Sequence, residues 1–185
     1  MKNYHLLAED PLTQPILSKG IKDWSGLLEY VRHIPYGRNA NRTDVSLVIK
    51  EHQGTCSSKH ALLKTVADLN SIPATLIMGI YKMNVNNTPK IGNVLEEHDL
   101  DYIPEAHCYL RIGDQTIDVT SASSSFDRIQ DAVLEEQAII PEQVGAYKVD
   151  VHKIFIKEWI VENNISLSFE EVWNLREQCI KNLSS

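Results

Sequence analysis

The run Gly54-Thr55-Cys56-Ser57-Ser58-Lys59-His60-Ala61-Leu62-Leu63-Lys64-Thr65-Val66-Ala67-Asp68-Leu69-Asn70-Ser71-Ile72-Pro73-Ala74 decides how the rest of the chain is read. Gly54-Thr55 makes a turn. From Cys56 to Asn70 the apolar residues Leu62, Leu63, Val66 and Leu69 fall on one broad side, the pattern of a helix packed on a core. Pro73 lies beyond its end, and Ala74 to Met83 is a β-rich run. A cysteine thus stands in the first turn of a helix. Backbone N–H groups there have no helical partner, and the helix dipole concentrates partial positive charge beside them. Both favour the thiolate, which is the nucleophilic form. The same N–H groups can stabilise an oxyanion on an attacked carbonyl. The competing reading is a small buried cysteine. At about 100° per residue, however, Cys56 falls at the edge of the apolar side rather than in its middle.

A thiol nucleophile needs a base, and the base needs a group to orient it. Downstream, residues 107–112 and 115–120 read as two short strands joined by Gly113-Asp114, residues that tolerate a tight hairpin turn. A two-residue turn pairs Ile112 with Gln115, so His107 faces Thr120 and Tyr109 faces Asp118. Residues 107, 109, 118 and 120 then share one face, because strand side chains alternate. Diagonal neighbours on one face lie about 7 Å apart, within reach of a His–Asp contact. A three-residue loop would put them on opposite faces. Taken alone, His107 reads equally as an ordinary surface or core histidine, and Asp118 as part of a solvated strand face.

At this point the residues resemble the transglutaminase-like superfamily. Gly54-Thr55-Cys56 opening a helix, followed by Asn70-Ser71-Ile72-Pro73 and a strand, is similar to its nucleophile segment. Ala106-His107-Cys108-Tyr109-Leu110 and Ile117-Asp118-Val119-Thr120 look like its His and Asp strands. The motifs span about residues 50–120. Two departures touch no triad position: Asn70-Ser71 stand where a Gly often precedes Ile-Pro, and Tyr109 stands where a Trp commonly follows the His by two. The resemblance implies an α+β, papain-like domain over residues 1–185, with the nucleophile helix packed on an antiparallel sheet and helices on both flanks. It implies a thiol hydrolase or acyltransferase acting on an amide, peptide or isopeptide bond, with Cys56 as nucleophile, His107 as base and Asp118 as its orienter. A protein or peptide is the implied substrate, and no cofactor is expected. The Cys56 N–H is one oxyanion donor. Gln53 is the candidate side-chain donor and Trp24 a weaker one.

The flanks are read from spacing. Residues 1–20, with Pro11 and Pro15, start irregularly. Residues 22–33 carry Trp24, Leu27, Leu28 and Val31 at helical spacing, and Pro35 ends the pattern. A short helix is expected over 44–51, a strand near 131–140, partial helix over 147–162, and a last helix capped by Ser168 with Glu171. Cys108 is expected to face the core opposite His107, and Cys179, Trp159 and Trp173 to be packing residues. The connection 84–105 holds Glu96, Glu97, His98, Asp99, Asp101 and Glu105 just before His107. It is expected either to gate the cleft and favour cationic groups or to be a solvated acidic loop.

The chain has 185 residues and a net charge of −7, with no basic run, which argues against nucleic acid. No apolar stretch is long enough to span a bilayer, and the first residues do not read as a signal peptide. Three cysteines cannot all pair within one chain, which fits a reducing, cytoplasmic setting. Three other readings compete. Cys56 and His60, at i and i+4, with His107-Cys108 could ligate a metal, though adjacent strand residues point apart. His60 could be the base for Cys56. A catalytically silent binding module could keep the triad without turnover.

Overall fold

The computed structural model describes residues 2–7 and 9–183 and is α+β. Helices come first: α1 (Thr13–Ser18), α2 (Trp24–His33), the single turn α3 (Leu47–Lys50) and α4 (Cys56–Leu69). The sheet follows, as β1 (Thr75–Met83), β2 (Ile103–Ile112), β3 (Gln115–Ile117) and β4 (Val133–Ile139). Two helices close the order, α5 (Ala146–Glu162) and α6 (Phe169–Asn182). The short α1 follows the irregular start of residues 1–20 and was not expected, and α5 is helical along its whole length rather than in part.

The four strands lie antiparallel in the order β3-β2-β1-β4. The hairpin register is the two-residue one: Ile112 pairs with Gln115 and Leu110 with Ile117. Gly113 at φ +55° supplies the positive φ that the turn requires. Side-chain alternation then sorts the sheet into two faces. Leu76, Met78, Cys108, Leu110 and Ile139 share a core with Leu62, Leu63 and Val66 of α4 and with Trp24, Leu27 and Val31 of α2. Tyr81, Met83 and Ile103 share a second core with Ile156 and Trp159 of α5 and Val172, Leu175 and Cys179 of α6. Trp173 is only partly buried against that second core.

Two strand boundaries position the site. β2 begins at Ile103, four residues before His107, so the connection from β1 is shorter than expected. β3 ends at Ile117, leaving 118–120 outside the ladder. Because β3 pairs only with Leu110, Arg111 and Ile112, the outer edge of β2 is open over residues 104–108. Pro104, which has no N–H to offer a neighbour, sits on that open stretch. α5 covers part of it: Lys148 Nζ donates to the Ala106 carbonyl at 2.6 Å, and His152 Nε2 to the Pro104 carbonyl at 2.8 Å. Two side chains one helical turn apart thus satisfy carbonyls that a fifth strand would otherwise pair.

Candidate active site

α4 starts where it does because Thr55, in an extended conformation, caps it. The Thr55 hydroxyl accepts from the Ser58 N–H, and the Ser58 hydroxyl accepts from the Thr55 N–H. That leaves Cys56 as the first helical residue. Gly54 before it is pressed against Lys59, Ser58 and Val48, and a Cβ there would meet the Lys59 Cγ at 2.9 Å. Gly54 also pairs with Tyr36: its N–H donates to Pro35 O, and Gly37 N–H donates to its carbonyl. The turn entering the helix is therefore held from both sides.

The departing chain after β3 is gripped by the same helix turn. Lys59, with no exposed surface, donates from Nζ to the carbonyls of Ile34 and Thr120. His60, equally buried, donates from Nδ1 to Cys56 O at 2.7 Å and accepts at Nε2 from Val119 N–H at 3.0 Å. Both imidazole nitrogens of His60 are committed to backbone. Burial drives its pKa down to about 4, against the opposing charge of Asp118, so it is neutral at pH 7. A neutral ring with both nitrogens engaged is neither a base for Cys56 nor a metal ligand.

Held this way, Asp118 meets His107. His107 Nε2 donates to Asp118 Oδ2 at 2.9 Å. The other carboxylate oxygen accepts from the Thr120 N–H at 3.0 Å and from its hydroxyl at 2.6 Å. Nδ1 of His107 is the nitrogen left for the Cys56 thiol, with which the ring is hydrogen-bonded. The Cys56 sulfur reaches the open edge of β2, where the Cys108 N–H points at it. Along that edge, successive outward groups go to His152, Lys148 and Cys56. The three residues expected to work together are together.

The electrostatics are those of an ion pair. Burial alone pushes the Cys56 thiol up, but the charge and hydrogen bond of His107, then Lys148 and the Cys108 N–H, carry it well below the ordinary thiol range. Burial works against a charged His107, and Asp118 and Cys56 reverse it, so the imidazole sits well above its usual range. Asp118 is held far below the usual carboxylate range: burial opposes ionisation, and His107 then outweighs it. The other thiols contrast with this. Burial raises Cys108 to about 12 and Cys179 to about 11. Cys108 lies on the core side with its sulfur 3.8 Å from Ser57 Oγ, and Cys179 is in the second core.

Gln53 does not join the site. Its amide nitrogen donates to Arg38 O at 2.8 Å, on the far side of the Tyr36–Gly54 pairing, and it does not line the cleft. Trp24 is fully buried in the first core. Tyr36 instead lines the cleft with Cys56 and His107 and feels the Cys56 charge. Burial and the nearby Cys56 charge raise the Tyr36 phenol, so it keeps its proton and remains a donor. Sequence reasoning passed over it because Pro35-Tyr36-Gly37 reads as loop. Its only signal is a pairing with Gly54 that no local pattern announces.

The cleft holds about 520 Å³. The connection between β1 and β2 contributes Asn87, Thr88, Pro89 and Lys90 to its lining, whereas Glu96, Glu97, Asp99 and Asp101 do not line it. Glu105 lies in β2 rather than in that connection. It is buried and clamped by Arg176, at 2.7 Å from Nε and 2.6 Å from a terminal nitrogen. Comparison of the chain with protein-family models, with curated proteins and with solved structures gives no match.

Proposed function

We propose that this protein is a thiol-dependent acyl-transferring enzyme of transglutaminase-like, papain-like character, cleaving or exchanging an amide, peptide or isopeptide bond. The observation that carries the proposal is the chain of contacts Cys56–His107–Asp118 on the wall of an open cleft, with the thiol shifted down and the imidazole up. The Cys56 thiolate attacks the substrate carbonyl carbon, forming a C–S bond as the carbonyl π electrons move onto oxygen. The Cys56 N–H and the Tyr36 hydroxyl are the donors for that oxyanion. As the C–N bond breaks, the His107 Nδ1–H proton passes to the leaving amine. Water then attacks the thioester and gives its proton to His107, releasing a carboxylic acid and restoring the thiolate–imidazolium pair. An amine in place of water gives transfer instead of hydrolysis. Asp118 stays ionised throughout, holding the ring so that Nδ1 faces the sulfur.

The test follows iodoacetamide alkylation at Cys56, read by peptide mass spectrometry across pH, in wild type and His107→Ala. Alkylation already fast at pH 7 and lost in the variant is expected, followed by an acyl adduct on Cys56 when the protein is mixed with an activated ester. Slow alkylation in both proteins, rising only near pH 8.5 as for an ordinary thiol, would sink the proposal.

A further inference from the structure

The charges around the cleft point away from a cationic substrate. Its lining holds two carboxylates, Asp118 and Glu105. Asp118 is engaged by His107, and Glu105 is clamped by Arg176, so neither offers unbalanced negative charge to a ligand. Against them the lining includes Arg32, Lys90 and Arg128, brought from α2, from the β1–β2 connection and from the segment before β4. Arg32 donates from a terminal nitrogen to the Ser124 carbonyl at 3.2 Å, and its Nε lies 3.8 Å from the exposed Glu29 carboxylate. Arg128 is exposed and has no ion-pair partner among the described residues, although Asp127 precedes it. Hydroxyl groups of Thr88, Ser121 and Ser123 line the same space, and Ile129, Ile180 and Leu183 give it an apolar part. Three cations converge on one cleft in a chain whose net charge is −7.

We infer that the cleft selects an anionic acyl donor: an amide, peptide or related substrate carrying a carboxylate, received by Arg128, with Arg32 and Lys90 adding positive charge to the same lining. The inference rests on the thiol-triad reading and adds the class of substrate to it. Guanidinium groups receive carboxylates in a matched planar geometry, and a lined cleft concentrates their field more than a flat surface does. Basic side chains from three separate elements place that field in the cleft whose lining includes Cys56.

The test compares iodoacetate with iodoacetamide, two alkylating agents with the same reacting carbon and leaving group that differ in bearing a carboxylate or a neutral amide. The quantity read is the ratio of the two alkylation rates at Cys56, divided by the same ratio for a small free thiol. The His107 imidazolium itself favours the anion, so the decisive reading is the change in that ratio when the cations are removed. In Arg128→Gln combined with Lys90→Gln the ratio is expected to fall by about three- to tenfold, while Arg128→Lys, which keeps the charge, holds it near wild type. Raising ionic strength is expected to lower it in wild type more than in the double variant. Fast iodoacetamide labelling with a ratio indifferent to these substitutions and to salt would leave the triad standing and overturn the anion selectivity. Slow labelling of wild type by both reagents would instead overturn the triad, and this inference with it.

Discussion

Two buried carboxylates, Glu105 within β2 and Asp118 beyond β3, each lie beside a histidine, and the two histidines behave oppositely. At the site, Asp118 has His107 as its principal charged partner, 2.9 Å away, and the imidazole is raised. Two residues along the strand from His107, Glu105 lies 3.9 Å from His152, yet burial brings that imidazole down to about 4. The difference is burial first, and then the two cations around Glu105, Lys148 and Arg176, which both hold His152 down. The Arg176 guanidinium takes both oxygens of Glu105 and holds that carboxyl down at about 2, against burial. Glu105 still pulls the imidazole up, but burial and the two cations outweigh it, so His152 is neutral and donates to Pro104 O. At Asp118 the buried cation Lys59 is aimed at carbonyls instead, and the carboxylate's second oxygen is held by Thr120. The same side-chain types give a fixed strut in one place and a charged acid–base group in the other, according to burial and the charges around each pair.

Removing Arg176 breaks this comparison with the largest expected effect. Arg176→Met leaves Glu105 buried without its cation, and loss of one partner of a buried pair costs about 3–5 kcal/mol. The denaturant midpoint is expected to fall accordingly. His152, relieved of one of the two cations that oppose its charge, is expected to titrate above its present position, as followed by NMR of the ring protons. His107 is expected to stay as it is. A His152 that remains neutral down to pH 5 in the variant would mean that burial, not the charge of Arg176, sets its state.

Acid is the next largest perturbation. His60 and His152 both have folded pKa values lowered to about 4, below the unfolded value of about 6.5. Between those limits the unfolded chain binds more protons, so stability falls as pH falls from about 6.5 towards 4. Each buried histidine is expected to contribute on the order of 2 kcal/mol of that loss by pH 5. His107 has the opposite sign: its contribution is full below about 6.5 and is lost only as pH rises through its raised folded value. Cys56 offsets it on the alkaline side, because the proton its thiol gives up is the one the imidazole keeps. Urea midpoints from pH 8 to 4.5 are therefore expected to hold level and then drop, starting near pH 6.5. A level curve down to pH 5 would contradict the neutral, backbone-bonded roles of His60 and His152.

Asp118→Asn sharpens the other half of the comparison. Without the carboxylate the His107 imidazolium loses its main support, and the thiol returns towards or above its ordinary value of about 8.5. At pH 7 only about 3% of such a thiol is ionised, so alkylation of Cys56 is expected to slow by about 30-fold or more. The asparagine keeps an oxygen for Thr120, so the turn at 118–120 has no reason to move. Unchanged alkylation would assign the lowered thiol to Lys148 and the helix terminus rather than to the triad.

How much of the molecule was legible depends on the range of each interaction. The helix from Cys56 and the hairpin register were readable because helical spacing and the Gly113-Asp114 turn are local, but the ladder stops at Ile117, short of the expected 120, so the His107–Asp118 contact rests on the chain leaving β3 and not on strand alternation. The open edge of β2 was not readable. Nothing in Pro104 to Cys108 announces that Lys148 and His152, a turn apart on a distant helix, will bond its carbonyls. The Lys59 and His60 side chains lie within a helix whose apolar stripe was plain, but their partners, Thr120 and Val119, become neighbours only because β3 stops at Ile117. Glu105 read as one of a run of acids. Its burial depends on Arg176, and a single charge in α6 gives no sign of which strand it will meet.

The smallest effect is expected at Gln53, where chain position and spatial position part company. Three residues before the nucleophile, its amide is a candidate oxyanion donor on chain position alone, against the plainer reading of an exposed loop amide. In the fold the chain between 53 and 56 turns around the Gly54 pairing, and the amide nitrogen is directed to Arg38 O while the Gln53 carbonyl accepts from Asn39. Gln53→Ala is therefore expected to leave acyl-enzyme formation within about threefold of wild type, the scale of a lost peripheral contact rather than of an oxyanion donor, whose removal costs about 100-fold or more. Tyr36→Phe is the matched comparison. It deletes only a hydroxyl, from a ring in the cleft lining whose backbone is bridged to Gly54, and should show that larger loss in acylation while leaving iodoacetamide alkylation, which builds no oxyanion, far less affected. A large loss in Gln53→Ala together with none in Tyr36→Phe would exchange the two assignments and require the loop at 36–39 to rearrange when substrate binds.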